Sequence, residues 1–168
     1  HSGQTVTAGT EYIFSFQVTN PSTAQNAVTI SIATSGILSF SSASMTTGTP
    51  DIHGVTDGGR PRKVIVPSFS VSAIGQSSPL ASEVNTITVT LQTIGILEQG
   101  SVVTISGLTN AVVPRGASYV TLADIENNGA GLFSDGATQS TGAWSSGTLK
   151  LTVHAGKTVT SGTKYIFS

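Results

Sequence analysis

The chain lacks cysteine altogether, and only 9% of its 168 residues are charged. No disulfide framework, zinc-finger spacing or thiol chemistry is therefore available. A chain of this length can bury a core without staples, so missing cysteine does not exclude secretion. Seven Lys and Arg, scattered along the sequence, cannot form a basic patch, which excludes nucleic acid as the expected partner. The Glu, Lys and Arg that clothe helical surfaces are scarce as well. No apolar run is long enough to cross a bilayer, and none of the residues given is expected to act as a signal peptide. Aromatics make up only 6% of the chain, with one Trp and one Met.

In their place stand 24 Ser and 25 Thr, 49 residues together. Hydroxyls must then solvate the outer faces. Thr, Val and Ile suit a pleated, half-buried surface. Hydrophobic residues at 38% argue against disorder. The chain begins with His1 rather than Met, so a processed chain or a piece of something longer is expected.

The two ends repeat each other. Residues 1–15 read HSGQTVTAGTEYIFS and residues 154–168 read HAGKTVTSGTKYIFS, 11 matches of 15 at an offset of 154 − 1 = 153. Fixed-period self-similarity signals a repeat array. A period this long suits globular beads in series better than solenoid turns. The expected organisation is one period of about 153 residues plus the first strand of the next, with a sub-boundary near 60–75 dividing two subunits. The copies differ at Ser2/Ala155, Gln4/Lys157, Ala8/Ser161 and Glu11/Lys164. The charge reversal at Glu11/Lys164 predicts a solvent-facing position. Tyr12, Ile13 and Phe14 recur as Tyr165, Ile166 and Phe167, which predicts positions committed to packing.

Period-2 patterns predict strands along the chain. Glu11–Asn20 sets Tyr12, Phe14, Phe16 and Val18 on one face. Ala27–Ala33 alternates Val28, Ile30 and Ile32 with polar residues. Lys63–Ser72, interrupted by Pro67, predicts two short strands or an edge strand with a bulge. Val84–Gln92, Ser101–Leu108 and Thr148–Val153 alternate cleanly. Gly48–Arg62 and Gln76–Glu83 predict loops, and Thr109–Trp144 predicts a long loop insertion with short strands. Many short strands between Gly, Pro, Asn and Ser turns predict an all-β sandwich.

Two strings carry a resemblance: GQSSPLASEVNTITVTLQTIGILEQGSVVTISGL at Gly75–Leu108, and SSGTLKLTVHAGKTVTSGTKYIFS at Ser145–Ser168, continued in the other copy as Phe16–Ser22. They resemble a tandem repeat of very large secreted or surface proteins of algae and other protists, related to Ig-like modules of bacterial adhesins. The resemblance implies Ig-like β-sandwich modules with Greek-key-type antiparallel sheets, in an extracellular or cell-surface filament without a catalytic site.

Several motifs have spacings that suggest chemistry. Ser161-Gly-Thr-Lys164 has the spacing of a serine nucleophile and lysine base, but its copy reads Ala8 and Glu11, so a turn is preferred. Asp124, Glu126, Asn128 and Asp135 fall at positions 1, 3, 5 and 12 of a calcium loop, with Gly129 at 6. The apolar residue usual at position 8 is Gly131, and flanking helices are absent, so an Asn-Gly-rich surface loop is preferred over calcium. Asp51, His53 and Asp57 could ligate a metal, though a solvated loop explains them. His1 and His154 are repeat equivalents in a turn. Thr86, Thr88 and Thr90 form a row that could bind ice or carry glycans, and β-propensity explains it alone. No Asn-x-Ser/Thr acceptor exists, because Pro21 follows Asn20. An internal Lys–Asn crosslink would suit a load-bearing fibre.

The sharpest expectation concerns assembly. One module offers one slot for the strand carried by Tyr12, Ile13, Phe14 and Phe16 or by Tyr165, Ile166 and Phe167. The spare copy either pairs in a neighbouring copy of the repeat or hangs loose with three apolar side chains exposed; pairing is expected, because an unpaired edge templates another chain. The alternative is an adhesin module for carbohydrate, ice or a cell surface, with Trp144 the first residue to check. Neighbouring repeats and glycans are the expected partners, with no catalytic role.

Overall fold

The structure is a computed structural model describing residues 4–113 and 116–168. His1 and Ser2 of the repeat, with Gly3, lie outside the described residues. The fold is all-β with antiparallel sheets. In chain order the strands are β1 (Ser31–Ile32), β2 (Ala43–Ser44), β3 (Ser68–Gln76), β4 (Ile87–Ile94), β5 (Val102–Ile105), β6 (Tyr119–Thr121), β7 (Asp124–Glu126), β8 (Phe133–Ser134), β9 (Thr141–Ser145), β10 (Thr148–Val153) and β11 (Tyr165–Phe167). One 3-10 turn, Ala130–Leu132, precedes β8.

A four-stranded sheet runs β3-β4-β11-β7. A five-stranded sheet runs β5-β10-β9-β6, with β8 also on β10. Alternation decides which faces are buried. In β10, Leu149, Leu151 and Val153 are buried while Lys150 is exposed. Leu91 of β4, Tyr165 and Phe167 of β11, and Leu149 and Leu151 of β10 belong to one core cluster, so both sheets share it. Burying a side chain such as Leu151 contributes about 1.5–3 kcal/mol.

The loop insertion with short strands expected at Thr109–Trp144 carries four short strands among its described residues, and it also supplies the centre of the core. Phe133 is fully buried, flanked by Leu132 and Ala130, and its ring packs on Phe167 at a 5.6 Å centroid separation. The run Ala-Gly-Leu-Phe is too short to show a period, which hid it among Gly and Asn residues. The strand expected from Lys63 begins instead at Ser68, just past Pro67, whose nitrogen cannot donate to a ladder. It is an edge strand, with a register shift between Phe69 and Val71.

Burial changes at Val64. No described residue before it is buried. The strand expected over Glu11–Asn20 does not form, and Ala27–Ala33 yields only the two residues of β1. Pairs this short, with no layer to pack on, are marginal. The apolar alternation predicts buried side chains here, but Tyr12, Phe14, Phe16, Val18, Val28 and Ile32 are exposed.

Candidate assembly site

The two copies of the repeat adopt the same local turn. The Thr10 N–H donates to Thr7 O and the Thr163 N–H to Thr160 O, both at 3.3 Å. Gly9 and Gly162 have φ of 76° and 74°, the positive value that the third position of a type II turn demands. The Tyr12 hydroxyl oxygen accepts from the Thr7 N–H at 3.1 Å, and Tyr165 accepts from Thr160 at the same 3.1 Å. The backbone donor at Thr7 holds the Tyr12 hydroxyl pKa below its ordinary value. The sequence Thr-x-Gly-Thr-x-Tyr therefore builds its turn locally, whether or not a sheet receives it.

Beyond the turn the copies part. Tyr165 and Phe167 are 5% and 1% exposed, whereas Tyr12 and Phe14 are 52% and 80% exposed. Tyr165, Ile166 and Phe167 pair with Leu91, Thr90 and Val89 of β4. On the other side Ile166 pairs with Glu126, and Ser168 and Ala123 exchange two backbone bonds. The slot between β4 and β7 is thus filled by the C-terminal copy. Among the expected assembly residues, Tyr165, Ile166 and Phe167 form a strand, and Tyr12, Ile13, Phe14 and Phe16 do not.

Two of the four differences between the copies lie at contacts. The Gly95 N–H donates to Ser161 Oγ at 3.0 Å, which Ala8 could not accept. Lys164 Nζ lies 3.1 Å from Glu126 Oε2, where Glu11 would repel. Asn127 Nδ2 also donates to Lys164 O at 2.8 Å. In the sequence, only an Asn-Asn-Gly turn marks this clamp. Substituting Lys164→Glu is expected to cost about 0.5–1 kcal/mol in urea unfolding, and the loss should shrink in high salt.

A groove of about 580 Å³ opens beyond the end of β11. The four-stranded sheet lines it with Ile74, Ile87, Val89 and Phe167, and the five-stranded sheet with Ile105 and Trp144. On one side of β4, β3 pairs as far as Ile87. On the other side, β11 pairs only as far as Val89. The groove begins where that pairing stops.

The proposed calcium ligands each have a separate engagement. Asp124 Oδ1 accepts from the Ala130 N–H at 3.4 Å, and Glu126 faces Lys164. Asp135 Oδ1 accepts from Thr138 and Ala137 N–H groups at 2.8 and 2.9 Å. Asn128 packs beside Gly131. Among the described residues, no three His, Asp or Glu side chains gather as a metal site. Asp51 accepts from the Asp57 N–H, and Asp57 pairs with Arg60 at 3.7 Å. Ser161 and Lys164 engage different partners, as above. Thr88 and Thr90 are half-buried in β4, and only Thr86 of that row is exposed.

The Thr138 and then the Ala137 N–H bonds hold the Asp135 carboxyl below its ordinary pKa. A depressed folded pKa stabilises above the unfolded value and is lost as pH falls through the folded one. The stability gap between the native chain and D135N should therefore be full at neutral pH. It should close as acid protonates Asp135, as followed by urea unfolding at stepped pH.

No family model, curated protein or solved structure matches this chain.

Proposed function

We propose that this chain is a structural repeat of an extracellular filament or cell-surface polymer, joined head-to-tail through β-strand and apolar contacts. In this reading the two core-sharing sheets are an Ig-like sandwich module of Greek-key type, as in the protist surface repeats the sequence resembles. One observation carries it. Two near-identical segments exist: one forms the strand that fills the slot, and the other keeps Ile13, Phe14 and Phe16 in solvent. Such a segment has apolar side chains and no strand partner in this fold, the two ingredients of β-augmentation. A contact between one end of a molecule and the other end of the next does not close, so it propagates. Sparse charge and abundant hydroxyls suit a surface outside the cell.

Electron microscopy of the purified chain after concentration tests this reading. Linear, regularly repeating particles are expected, and uniform single particles at every concentration would contradict it. A second reading, an adhesin module, is favoured by Trp144 on the wall of the groove. Aromatic-walled grooves take small apolar or sugar ligands.

A further inference from the structure

β3 is the longest strand and lies at the edge of the four-stranded sheet. Its nine residues carry no charge. A long, uncharged edge invites another strand. The opposite edge of the same sheet, β7, carries Asp124 and Glu126 in its three residues. In β3, the register shift between Phe69 and Val71 disturbs only the first half. From Val71 to Gln76 the pairing with β4 is regular.

That pairing fixes which backbone groups face outward. The Ser77 N–H donates to Thr86 O at 3.0 Å, one step past the Gln76–Ile87 pair. Ladder bonds alternate along an antiparallel strand. Val71, Ala73 and Gly75 therefore bond toward β4, and Ser72, Ile74 and Gln76 turn their N–H and C=O groups away from it. Ser72 and Ile74 stand opposite Leu91 and Val89, so they share the inner face of the sheet. Ile74 is nonetheless exposed. It borders a cleft of about 260 Å³ whose far wall is Val103 and Ile105 of β5.

We propose that β3 is a dimerisation edge, pairing antiparallel about a two-fold axis with β3 of a second copy of this chain, Ile74 opposite Ile74. A two-fold pairing sets a strand against itself, so any charge on it would face its like. β3 carries none. The register centred on Ile74 uses all three outward residues, since Ser72 then faces Gln76 of the second copy. Each such pair exchanges two backbone bonds. On the inner face the two Ile74 side chains meet at the axis and leave solvent. On the outer face Ala73 meets Gly75 of the second copy, and both are small. The contact is isologous and closes at two copies. It goes beyond the head-to-tail reading and does not depend on it: it fastens two modules side by side.

The missing cysteines make the register directly testable. The full chain carries one introduced Cys at a time. I74C is expected to oxidise to a disulfide-linked dimer, because directly bonded partners lie about 5.5 Å apart at Cα, inside disulfide range. S72C alone should not, since its twin is displaced four residues, about 13 Å, along the ladder. S72C mixed with Q76C should crosslink. Sedimentation is run on F14S/F16S, which removes the exposed apolar side chains of the head-to-tail contact. Association should then stop at dimers. Adding I74K or I74E should weaken it at least about 100-fold, and mixing those two variants should restore dimers. I37S, at an exposed apolar residue elsewhere, should change nothing.

Self-crosslinking of S72C as fast as that of I74C would overturn the proposal, as would an I74K and I74E mixture that stays monomeric. Equal weakening by I37S would overturn it as general stickiness. An F14S/F16S chain that is monomeric while the native chain polymerises would overturn this edge and leave the head-to-tail reading standing. Dimers of F14S/F16S that I74K abolishes, beside a native chain that forms no longer polymer, would uphold this edge and contradict the head-to-tail reading.

Discussion

Phe167→Ala should lower the unfolding free energy by about 3–5 kcal/mol, and Phe14→Ala should change it by less than about 0.5 kcal/mol. The two residues hold the same place in the same repeated strand. Sequence context therefore cannot separate them, and only burial does. Phe167 is packed on Phe133, faces Val89 and belongs to the shared core. Truncating it removes an aromatic ring and leaves a cavity between elements of both sheets, which relaxes only in part. Phe14 contacts solvent on most of its surface, so its loss removes little that folding had gained. Urea denaturation of the two variants measures the difference directly. The slope of the transition should be preserved, since neither change alters how much surface unfolding exposes.

The second large effect is expected at the turn joining β9 to β10. Ser146 and Gly147 both have positive φ, 47° and 76°, the backbone of a two-residue hairpin turn that matches strand twist. A Cβ at Gly147 would sit 2.7 Å from the Leu108 carbonyl oxygen, a backbone atom that cannot rotate away. The Gly147 carbonyl also accepts the Leu108 N–H at 3.0 Å, so the two segments are tied. Gly147→Ala combines left-handed strain with overpacking, for an expected loss of about 2–4 kcal/mol. Gly162→Ala is the contrast. It shares the positive φ, but a Cβ there meets nothing within 4 Å. It should lose only about 1 kcal/mol from strain. Thermal unfolding of the pair should place Gly147→Ala well below Gly162→Ala.

Much of the all-β character was legible because alternation survives wherever one face is buried. Thr148–Val153 matches β10 residue for residue, and Val84–Gln92 overlaps β4, with Leu91 buried as expected. The repeat was legible because it needs no structure to detect. It singled out Tyr165, Ile166 and Phe167 as packing positions. Three features were not legible. Phe133 sits in a run too short to carry a period, and its burial depends on Phe167, far along the chain. The failure of Glu11–Asn20 to form a strand is not a local property, because its alternation is as good as that of strands that formed. What it lacks is a paired neighbour, and pairing belongs to tertiary structure. The groove, too, is invisible to local reading, since its walls come from β3, β4, β5, β6, β9, β10 and β11. Trp144 was flagged by scarcity rather than by geometry. The calcium pattern at Asp124–Asp135 shows the converse: its spacing fits a loop template, while Asp124 and Glu126 lie on a strand and Asp135 caps a separate turn.

Hydrogen exchange on the dilute, monomeric chain reaches the centre of this account. Two segments of nearly the same sequence should then behave oppositely. The amides of residues 165–168 should exchange slowly, with the protection of the core. Those of residues 12–15 should exchange at close to the free-peptide rate. Equal protection of both segments in the monomer would mean that the module has two slots for this strand, and would contradict the account.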